Sequence, residues 1–466
     1  MRIRVFGQHL HVSILVLAML ETILFVALLY AAGFVRLGPD LTRFERLQGP
    51  LWPRALLFSV SIVASLLAFG LYSARQRART AGIFVRVLAA VACGALATTV
   101  FFYVIPDLRI GRGVLMLAAA STATAVVVLR LGFSRLVDET PFKRRVVVYG
   151  SGRGASALAR LRRRTDQRGF QLLGFLQPEG EQVEVPYDRL VAVGGELAHY
   201  CKREHVDEVV VAMDDRRRAF PIRALLECRL AGIEVTELLT FLERETGRVR
   251  IDVLNPSWLI FSDGFKQGPY RVLTSRALDL AASVLLLLVS VPVIAVTALA
   301  IKLEEGWRAP VLYRQMRIGY GGRTFELLKF RSMRTDAEAN GEARWAQKND
   351  PRVTRVGAVI RKIRVDELPQ ILNVMRGEMR FVGPRPERPQ FVAELAEKIP
   401  YYMQRHCVKP GITGWAQLCY PYGSSDHDAL EKLQYDLYYV KNRGFLFDLS
   451  ILVQTAEVVF LGKGAR

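Results

Sequence analysis

The sequence predicts a mixed membrane protein in three parts: a four-helix transmembrane bundle at residues 1–135, a Rossmann-like α/β module at 136–265, and a membrane-associated domain, poor in regular α/β layering, at 266–466. Three observations predict it. The first 135 residues are mostly apolar runs separated by short arginine-rich breaks. The middle alternates apolar strand patterns with helical ones around a Gly-rich turn. The last part holds one more long apolar run, 277–301, and then a series of short Gly-, Pro- and charge-rich motifs.

Four apolar runs, near 12–35, 51–73, 82–105 and 113–132, each approach the ~20 residues that a helix needs to cross a bilayer. The first, "HVSILVLAMLETILFVALLYAAGFV", is too long for a signal-peptide core and lacks a small-residue cleavage site. Basic residues mark the sides. Arg2 and Arg4 precede the first run, Arg75, Arg77 and Arg79 follow the second, and Lys143, Arg144 and Arg145 follow the fourth. The positive-inside rule then puts the N-terminus, the second loop and everything after the fourth run in the cytoplasm. Arg36, Arg43 and Arg46 in the first loop oppose this, accompanied by Asp40 and Glu45.

Composition removes several function classes. The five cysteines form no CxxC and no disulfide framework, which fits a reducing compartment. The six histidines show no HExxH and no Cys/His cluster, so no zinc site is expected. A net charge of +20 over 466 residues calls for polyanions. Beside membrane spans, lipid headgroups and phosphates are better candidates than nucleic acid, which is not expected as a partner.

In the middle, "RRVVVYGSGRGASALARL" reads as a buried strand, a turn and a helix. Gly150, Gly152 and Ala155 satisfy the G-x-G-x-x-G/A spacing that brings a backbone close to a pyrophosphate. "FQLLGFL" and "VDEVVVAM" give two further strands. A dinucleotide reader wants an acid at the end of the second strand, where this chain has Gln177 and Pro178, with Glu179 nearest. Two readings stay open: a nucleotide-binding turn, or an α/β module without dinucleotide chemistry.

The run at 280–301 carries no charge, yet Pro292 removes a backbone donor inside it and Ser290 can satisfy freed backbone groups. A segment that dips in, breaks at Ser290–Pro292 and returns keeps both flanking domains on one side of the membrane. A simple kinked span is the alternative.

From 303 onward, "GYGGRTFELLKFRSM" predicts a Gly turn and a strand with Lys329 and Arg331 on one side. In "RVDELPQILNVMRGEM" a helix is expected to begin with Asp366 as N-cap, Pro369 in its first turn and Gly377 closing it. "FVGPRPERP" is a rigid loop holding Arg385, and "KPGITGWAQ" a second rigid turn. Adjacent helical positions point about 100° apart, so Asp366 and Glu367 are suited to different tasks: one as nucleophile, the other as magnesium ligand. Mg²⁺ commonly takes one or two carboxylates plus substrate phosphates. Lys329, Arg331, Arg361 and Arg385 supply the positive clamp that phosphoryl chemistry demands. The bland alternative is a capping pair that neutralises nearby arginines.

Taken in order, "KFRSM", "DELPQILNVMRGEM", "VGPRPERP", "KPGITGWAQ" and "YDLYYVKN" resemble the bacterial polyprenyl-phosphate hexose-1-phosphate transferases, which initiate surface polysaccharide assembly. Four spans followed by a Rossmann-like module are similar to the large-form members. "FLERETGRVRIDVLNPSWLIFSDGF" resembles the subgroup tied to exosortase-linked exopolysaccharide systems. The resemblance implies a catalytic domain at 266–466 in which Asp366 becomes covalently phosphoglycosylated, with Glu367 as its partner and Mg²⁺ as cofactor. Both acids are then the implied metal ligands. It implies Arg361 and Arg385 as phosphate-contacting residues and a re-entrant helix over 277–301; Lys329, Arg331 and Gln417 are expected to bind substrate beside them. The implied partners are a UDP-sugar, undecaprenyl phosphate, the lipid bilayer and a second copy of the chain. The implied location is the bacterial inner membrane, with the catalytic domain on its cytoplasmic face. Two departures stand out: the break here is Ser290-Val291-Pro292 rather than an adjacent Ser-Pro, and Met316 replaces a usual Glu. Two rival classes remain, a membrane glycosyltransferase that releases UDP and a non-catalytic nucleotide sensor that uses the Gly150 turn.

Overall fold

The computed structural model describes residues 2–5, 8–38, 45, 49–72, 80–136, 143–161, 169–215, 220–254, 260, 268–334, 350–420, 423 and 425–460. Two units emerge, Met1–Lys143 and Arg144–Arg466.

The first unit starts with an antiparallel hairpin, β1 (Arg2–Val5) and β2 (Gln8–His11), followed by four helices: α1 (Val12–Leu37), α2 (Trp52–Ala68), α3 (Thr80–Val104) and α4 (Arg112–Leu136). Helix α1 packs on α2 and α4, and α3 completes the square. Phe25, Leu29, Phe58, Ile62, Val87, Ala118 and Val126 meet at the centre. The outer faces are apolar as well, with Met19, Ile23, Leu96, Met116 and Val128 all exposed. A helix that is hydrophobic all round needs protein or lipid on every side. Helix α2 ends at Ala68, earlier than the expected 73, because Gly70 turns left-handed (φ 68°) and Leu71 closes the end by bonding to the Leu66 carbonyl. At 17 residues it is about 26 Å long, the short end of what spans a bilayer. Glu21, Arg54 and Arg86 are buried here. Glu21 accepts from Tyr72 and pairs with Arg130 at 3.5 Å, so its charge is matched, and Arg54 donates to the Gly49 and Asp107 carbonyls at 2.8 Å.

In the second unit, β3 (Arg144–Tyr149), β4 (Phe170–Leu176), β5 (Glu208–Val211) and β6 (Glu234–Glu237) form a parallel sheet of order β4-β3-β5-β6. Helices α5 (Arg153–Ala159) and α8 (Leu238–Thr246) cover one face, and α6 (Leu197–Arg203) and α7 (Ile222–Leu230) the other. Strand β3 is consequently buried on both faces: Val146 and Val148 point one way and Val147 the other.

Helix α9 (Pro269–Glu305) then runs for 37 residues. The helix does not end at Ser290–Pro292: Ser290 is buried, and the helix continues past Pro292. A proline kinks a helix by removing one bond and need not end it. By length and composition Val272–Glu305 is able to cross a membrane. Both of its ends nevertheless hold the same domain. Arg276 donates to the carbonyls of Val374 and Met375 at 2.6 Å, and buried Asp279 pairs with Arg380 at 3.0 Å. Farther along, Ile294 and Ile301 pack with Phe330 and Ile360, and the Glu304 carboxylate accepts from the Arg355 and Val356 amides at 2.8 and 2.9 Å.

The remaining elements are the hairpin β7 (Leu312–Ile318) and β8 (Thr324–Phe330), helices α10 (Arg355–Lys362) and α11 (Gln370–Arg376), strand β9 (Arg380–Val382), α12 (Pro389–Lys398), β10 (Gly411–Thr413) parallel to β9, α13 (Trp415–Cys419), α14 (Asp426–Asn442) and α15 (Phe445–Phe460). The apolar C-terminal helix α15 packs on β9, β10, α9 and α13, with Asp448 bound to Arg380 at 3.0 Å and to Tyr439 at 2.8 Å.

His406 gives this fold a pH dependence. Burial first, and then the Arg405 charge, push its imidazole down to about 4, so it is neutral in the folded chain. The unfolded chain takes up that proton near pH 6.5, so stability present above 6.5 is lost as pH falls toward 4, by up to about 3 kcal/mol. A series of melting temperatures in detergent between pH 7 and 4 should show this slope, and His406→Gln should flatten it.

Candidate active site

The two acids lie in a single 3₁₀ turn, Val365–Glu367, between α10 and α11. Asp366 is therefore not the helix cap expected from the sequence. That helix begins at Gln370, just after Pro369, with no side-chain cap, and is closed by Gly377 at φ 80°. The chain reaches the turn through Arg364, a non-glycine residue at φ 61°. A left-handed non-glycine residue costs roughly 1–3 kcal/mol and persists only where its surroundings impose it.

The two carboxylates sit in different surroundings. Glu367 Oε1 meets Arg385 at 3.1 Å, Lys329 at 3.6 Å and Arg364 at 3.7 Å. Burial works to raise its pKa, but Arg385, Lys329 and Arg364 prevail and hold it at about 2, so it is ionised throughout the physiological range. Asp366, with 9% of its surface exposed, has no hydrogen bond or ion pair to its carboxylate among the described residues. Burial and then the Glu367 charge raise its pKa, against the pull of Lys329, Arg361 and Arg364. One acid is fixed and charge-saturated, and the other is left unbound. Pairs of titratable groups driven apart in this way divide their roles.

Arg385 is aimed by a loop with almost no freedom. Every carbonyl from Pro384 to Glu387 accepts a hydrogen bond: Pro384 from the Gly411 amide (3.0 Å), Arg385 from Arg405 (3.0 Å), Pro386 from Arg317 (3.1 Å) and Glu387 from the Ile318 amide (3.0 Å). Arg405 is itself buried and tied to Asp436 at 2.8 Å and to the Tyr402 hydroxyl at 2.8 Å. The glycines of "VGPRP" and "KPGITGW" let the two turns touch backbone to backbone. A Cβ on Gly383 would lie 2.5 Å from the Lys409 carbonyl and 2.8 Å from the Gly411 nitrogen, and one on Gly414 would collide with the Gly383 carbonyl.

Of the residues singled out in the sequence, the structure brings Asp366, Glu367, Lys329 and Arg385 together, with Arg361 close enough for its charge to act on Asp366. It takes Arg331 elsewhere: its guanidinium donates to the Pro310 carbonyl at 3.0 Å and lies over the Tyr313 ring. Gln417 sits on α13, its side-chain amide nitrogen buried without a hydrogen-bond partner among the described residues, and no described contact joins it to the acids. Gly150, Gly152 and Ala155 shape the β3–α5 turn in the parallel-sheet module. Sequence reading missed three contributors. Arg364 gave no signal, because its role depends on its left-handed backbone. Arg317 lies on β7, remote in sequence from the loop that it ties. Asn373, fully buried, bonds to the Leu328 amide (3.1 Å) and the Glu326 carbonyl (2.7 Å), which fixes α11 against β8 and so Lys329 against Glu367.

No group of three or more acidic, His or Cys ligands exists among the described residues. A magnesium ion would have the Asp366 carboxylate and the Glu367 oxygen not engaged by the cations. That donor set suits an ion accustomed to one or two carboxylates completed by substrate phosphates. A cavity of about 160 Å³, lined by Glu387, Phe391, Tyr402, Arg405 and Lys432 among others, does not include Asp366 or Glu367.

The family model described as bacterial sugar transferase matches residues 270–462, and one described as a CoA-binding domain matches residues 67–227. The chain is 42% identical over 244 residues to the UDP-N-acetylgalactosamine-undecaprenyl-phosphate N-acetylgalactosaminephosphotransferase of Aeromonas hydrophila, covering 52% of this chain and 56% of that protein. It is 35% identical to the undecaprenyl-phosphate glucose phosphotransferase of Komagataeibacter xylinus, over 69% of this chain and 60% of that one. It is 32% identical to the UDP-glucose:undecaprenyl-phosphate glucose-1-phosphate transferase of Xanthomonas campestris pv. campestris, over 76% and 73%. The matched segments thus span less than two thirds of the first two relatives and nearly three quarters of the third.

The backbone contact between the two turns predicts a sharp sensitivity. Gly383→Ala puts a Cβ 2.5 Å from the Lys409 carbonyl and so forces the turns apart at the base of Arg385, and a misplacement of about 1 Å costs on the order of 10²-fold in rate. Steady-state kinetics on the purified variant, normalised to folded protein by its melting curve, is the measurement.

Proposed function

The chain belongs to the bacterial sugar transferases, and we propose that it transfers a hexose-1-phosphate from a UDP-sugar to undecaprenyl phosphate, releasing UMP, through a covalent intermediate on Asp366. The observation that carries this reading is the unbound Asp366 carboxylate beside a Glu367 locked by Arg385, Lys329 and Arg364. The names of the relatives support the substrate class, with glucose and N-acetylgalactosamine among their sugars.

In the first step an Asp366 oxygen attacks the sugar-bearing phosphorus, forming an aspartyl phosphate ester of the hexose. The bond from that phosphorus to the bridging oxygen breaks, and its electron pair leaves with UMP. In the second step a phosphate oxygen of undecaprenyl phosphate attacks the same phosphorus, and the Asp366 carboxylate departs. No net proton is consumed. Splitting one displacement into two is the usual gain of covalent catalysis. The raised pKa of Asp366 makes it a better nucleophile than a fully stabilised carboxylate, while the cations around Glu367 face charge on the donor phosphates. Bound Mg²⁺ would neutralise diphosphate charge.

Helix α9 is read as re-entrant, which keeps donor site and lipid acceptor at the cytoplasmic face of the inner membrane. Arg276 and Glu304 are 28 positions apart, about 42 Å along a straight helix, more than the ~30 Å hydrocarbon core. Their partners, α11 and α10, belong to one domain and are separated by a short turn. Between them Val284, Leu285, Leu288, Val289 and Val296 are exposed and apolar, a surface suited to acyl chains. A homodimer and a role in exopolysaccharide assembly complete the reading.

Asp366→Asn should abolish both turnover and covalent labelling by sugar-labelled donor, a loss on the order of 10³-fold or more. Glu367→Gln should cost roughly 10²-fold by loosening the cation cage. Substantial turnover in Asp366→Asn would overturn the nucleophile. The nucleotide released from a UDP-sugar panel with undecaprenyl phosphate decides the reaction: UMP supports phosphosugar transfer, whereas UDP would make the protein a glycosyltransferase. For topology, Leu273→Cys and Glu305→Cys, each in a background without the native cysteines, should both be shielded from an impermeant reagent in spheroplasts. Labelling at 305 alone would make α9 a span.

A further inference from the structure

We infer that the α/β module takes no coenzyme or dinucleotide, because its phosphate seat is filled by its own Asp214 and Glu181, and that the module instead positions Trp415 against the loop that carries Arg385. In a parallel sheet of this order the ligand crevice opens at the carboxyl ends of β3 and β5, where the chain crosses from one side of β3 to the other. An incoming pyrophosphate would use the free amides of the Gly150 turn and the start of α5.

Those amides are already taken. The Arg153 and Gly154 amides donate to the two Asp214 oxygens at 2.8 and 2.9 Å, and the Ser151 amide donates to Glu181 at 2.7 Å. The second Glu181 oxygen accepts from the Asp214 amide at 2.9 Å, which locks the two acidic segments to each other. A Cβ on Gly152 would collide with the Asp214 carboxylate, so the glycine is required by the chain's own acid, with no need of a phosphate to explain it. Two carboxylates in the crevice repel a pyrophosphate, which could enter only by breaking these four amide bonds. The coenzyme named by the matching family description therefore does not fit this turn.

Helix α8, on the same face of the sheet as α5, has a different use. Helix α8 sends Phe241 and Leu242 into the sheet and Glu243 outward, where it binds Lys441 at 2.6 Å and Asn442 at 2.7 Å on α14. Just beyond, the Gly247 carbonyl accepts the Trp415 indole N–H at 2.8 Å, Arg248 pairs with Glu431, and the Val249 amide bonds to the Gln434 carbonyl at 3.0 Å. Trp415 follows Gly414, whose backbone abuts Gly383, and Gly383 precedes the loop that aims Arg385 at Glu367. The positioning role is one of contact, carried from Gly247 through Trp415 to that loop.

Two measurements on the full chain in detergent test this. Equilibrium dialysis with radiolabelled CoA and with NAD should show no saturable binding. Binding that persists in Arg385→Ala would overturn the inference, whereas binding lost in that variant is capture by the donor site and leaves the module empty. This arm does not use activity, so it stands apart from the proposed reaction. Trp415→Phe keeps the ring and loses the N–H, and Glu243→Gln loosens the dock from the module's side. Both should lower kcat about 10- to 100-fold in protein that melts within a few degrees of the parent. Parental kcat in both variants would overturn the positioning role.

Discussion

The structure of the C-terminal half depends on one carboxylate. Glu367 draws Arg385, Lys329 and Arg364 to a single oxygen, and each arrives from a different element: the Pro-fixed loop after β9, the end of β8 and the left-handed step before the turn. A buried charge with one poor partner would be costly, and removing one member of such a cluster strands the others. The cluster therefore constrains its surroundings. Asn373 fixes α11 to β8, and the loop carbonyls around Arg385 are all occupied, because small displacements would break charge-assisted bonds. Asp366 gains by contrast: Lys329, Arg385 and Arg364 make their close contacts with Glu367, and what reaches Asp366 is the field of Lys329, Arg361 and Arg364.

A second constraint acts on α9. Arg380 joins Asp279 of α9 to Asp448 of α15, and the Tyr439 hydroxyl lies 2.8 Å from the same Asp448 carboxylate and 3.0 Å from the Val382 carbonyl. The long apolar helix and the C-terminal helix are thus pinned to the strand that leads into the Arg385 loop. An apolar surface able to enter lipid and a polar cluster able to hold a diphosphate sit on one folded body, which is the requirement for joining a water-soluble donor to a lipid-bound acceptor.

Much of this was legible in the sequence, and the parts that were not share a cause. The apolar runs, the strands around the Gly150 turn and the Gly377 helix stop are local properties, set by period, glycine and proline. Arg385 is prominent because prolines hold it on both sides, and the acid pair because of the motifs that flank it, since a bare Asp-Glu pair is equally suited to capping a helix. The shape of the 364–367 turn was not legible: "RVDELP" reads as a helix start, and only packing reveals that Arg364 turns left-handed and that the helix waits until Gln370. Arg331 illustrates the same limit, because one step beyond the strand end sends it to Pro310 and Tyr313 instead of the acids.

The Gly150 turn shows how a correct local reading can mislead about chemistry. Spacing gave the strand, the turn and the helix, all of which form. What fills the anion seat comes from Glu181 and Asp214, some 30 and 60 residues downstream, and no local pattern marks them as its occupants. The absent acid at the end of the second strand was the one local sign, since a turn that reads no ribose has less reason to hold a pyrophosphate. A glycine at 152 fits both a phosphate and a carboxylate equally well. Which of the two it serves is settled by the charge that the rest of the fold delivers to it, and here that charge is the chain's own.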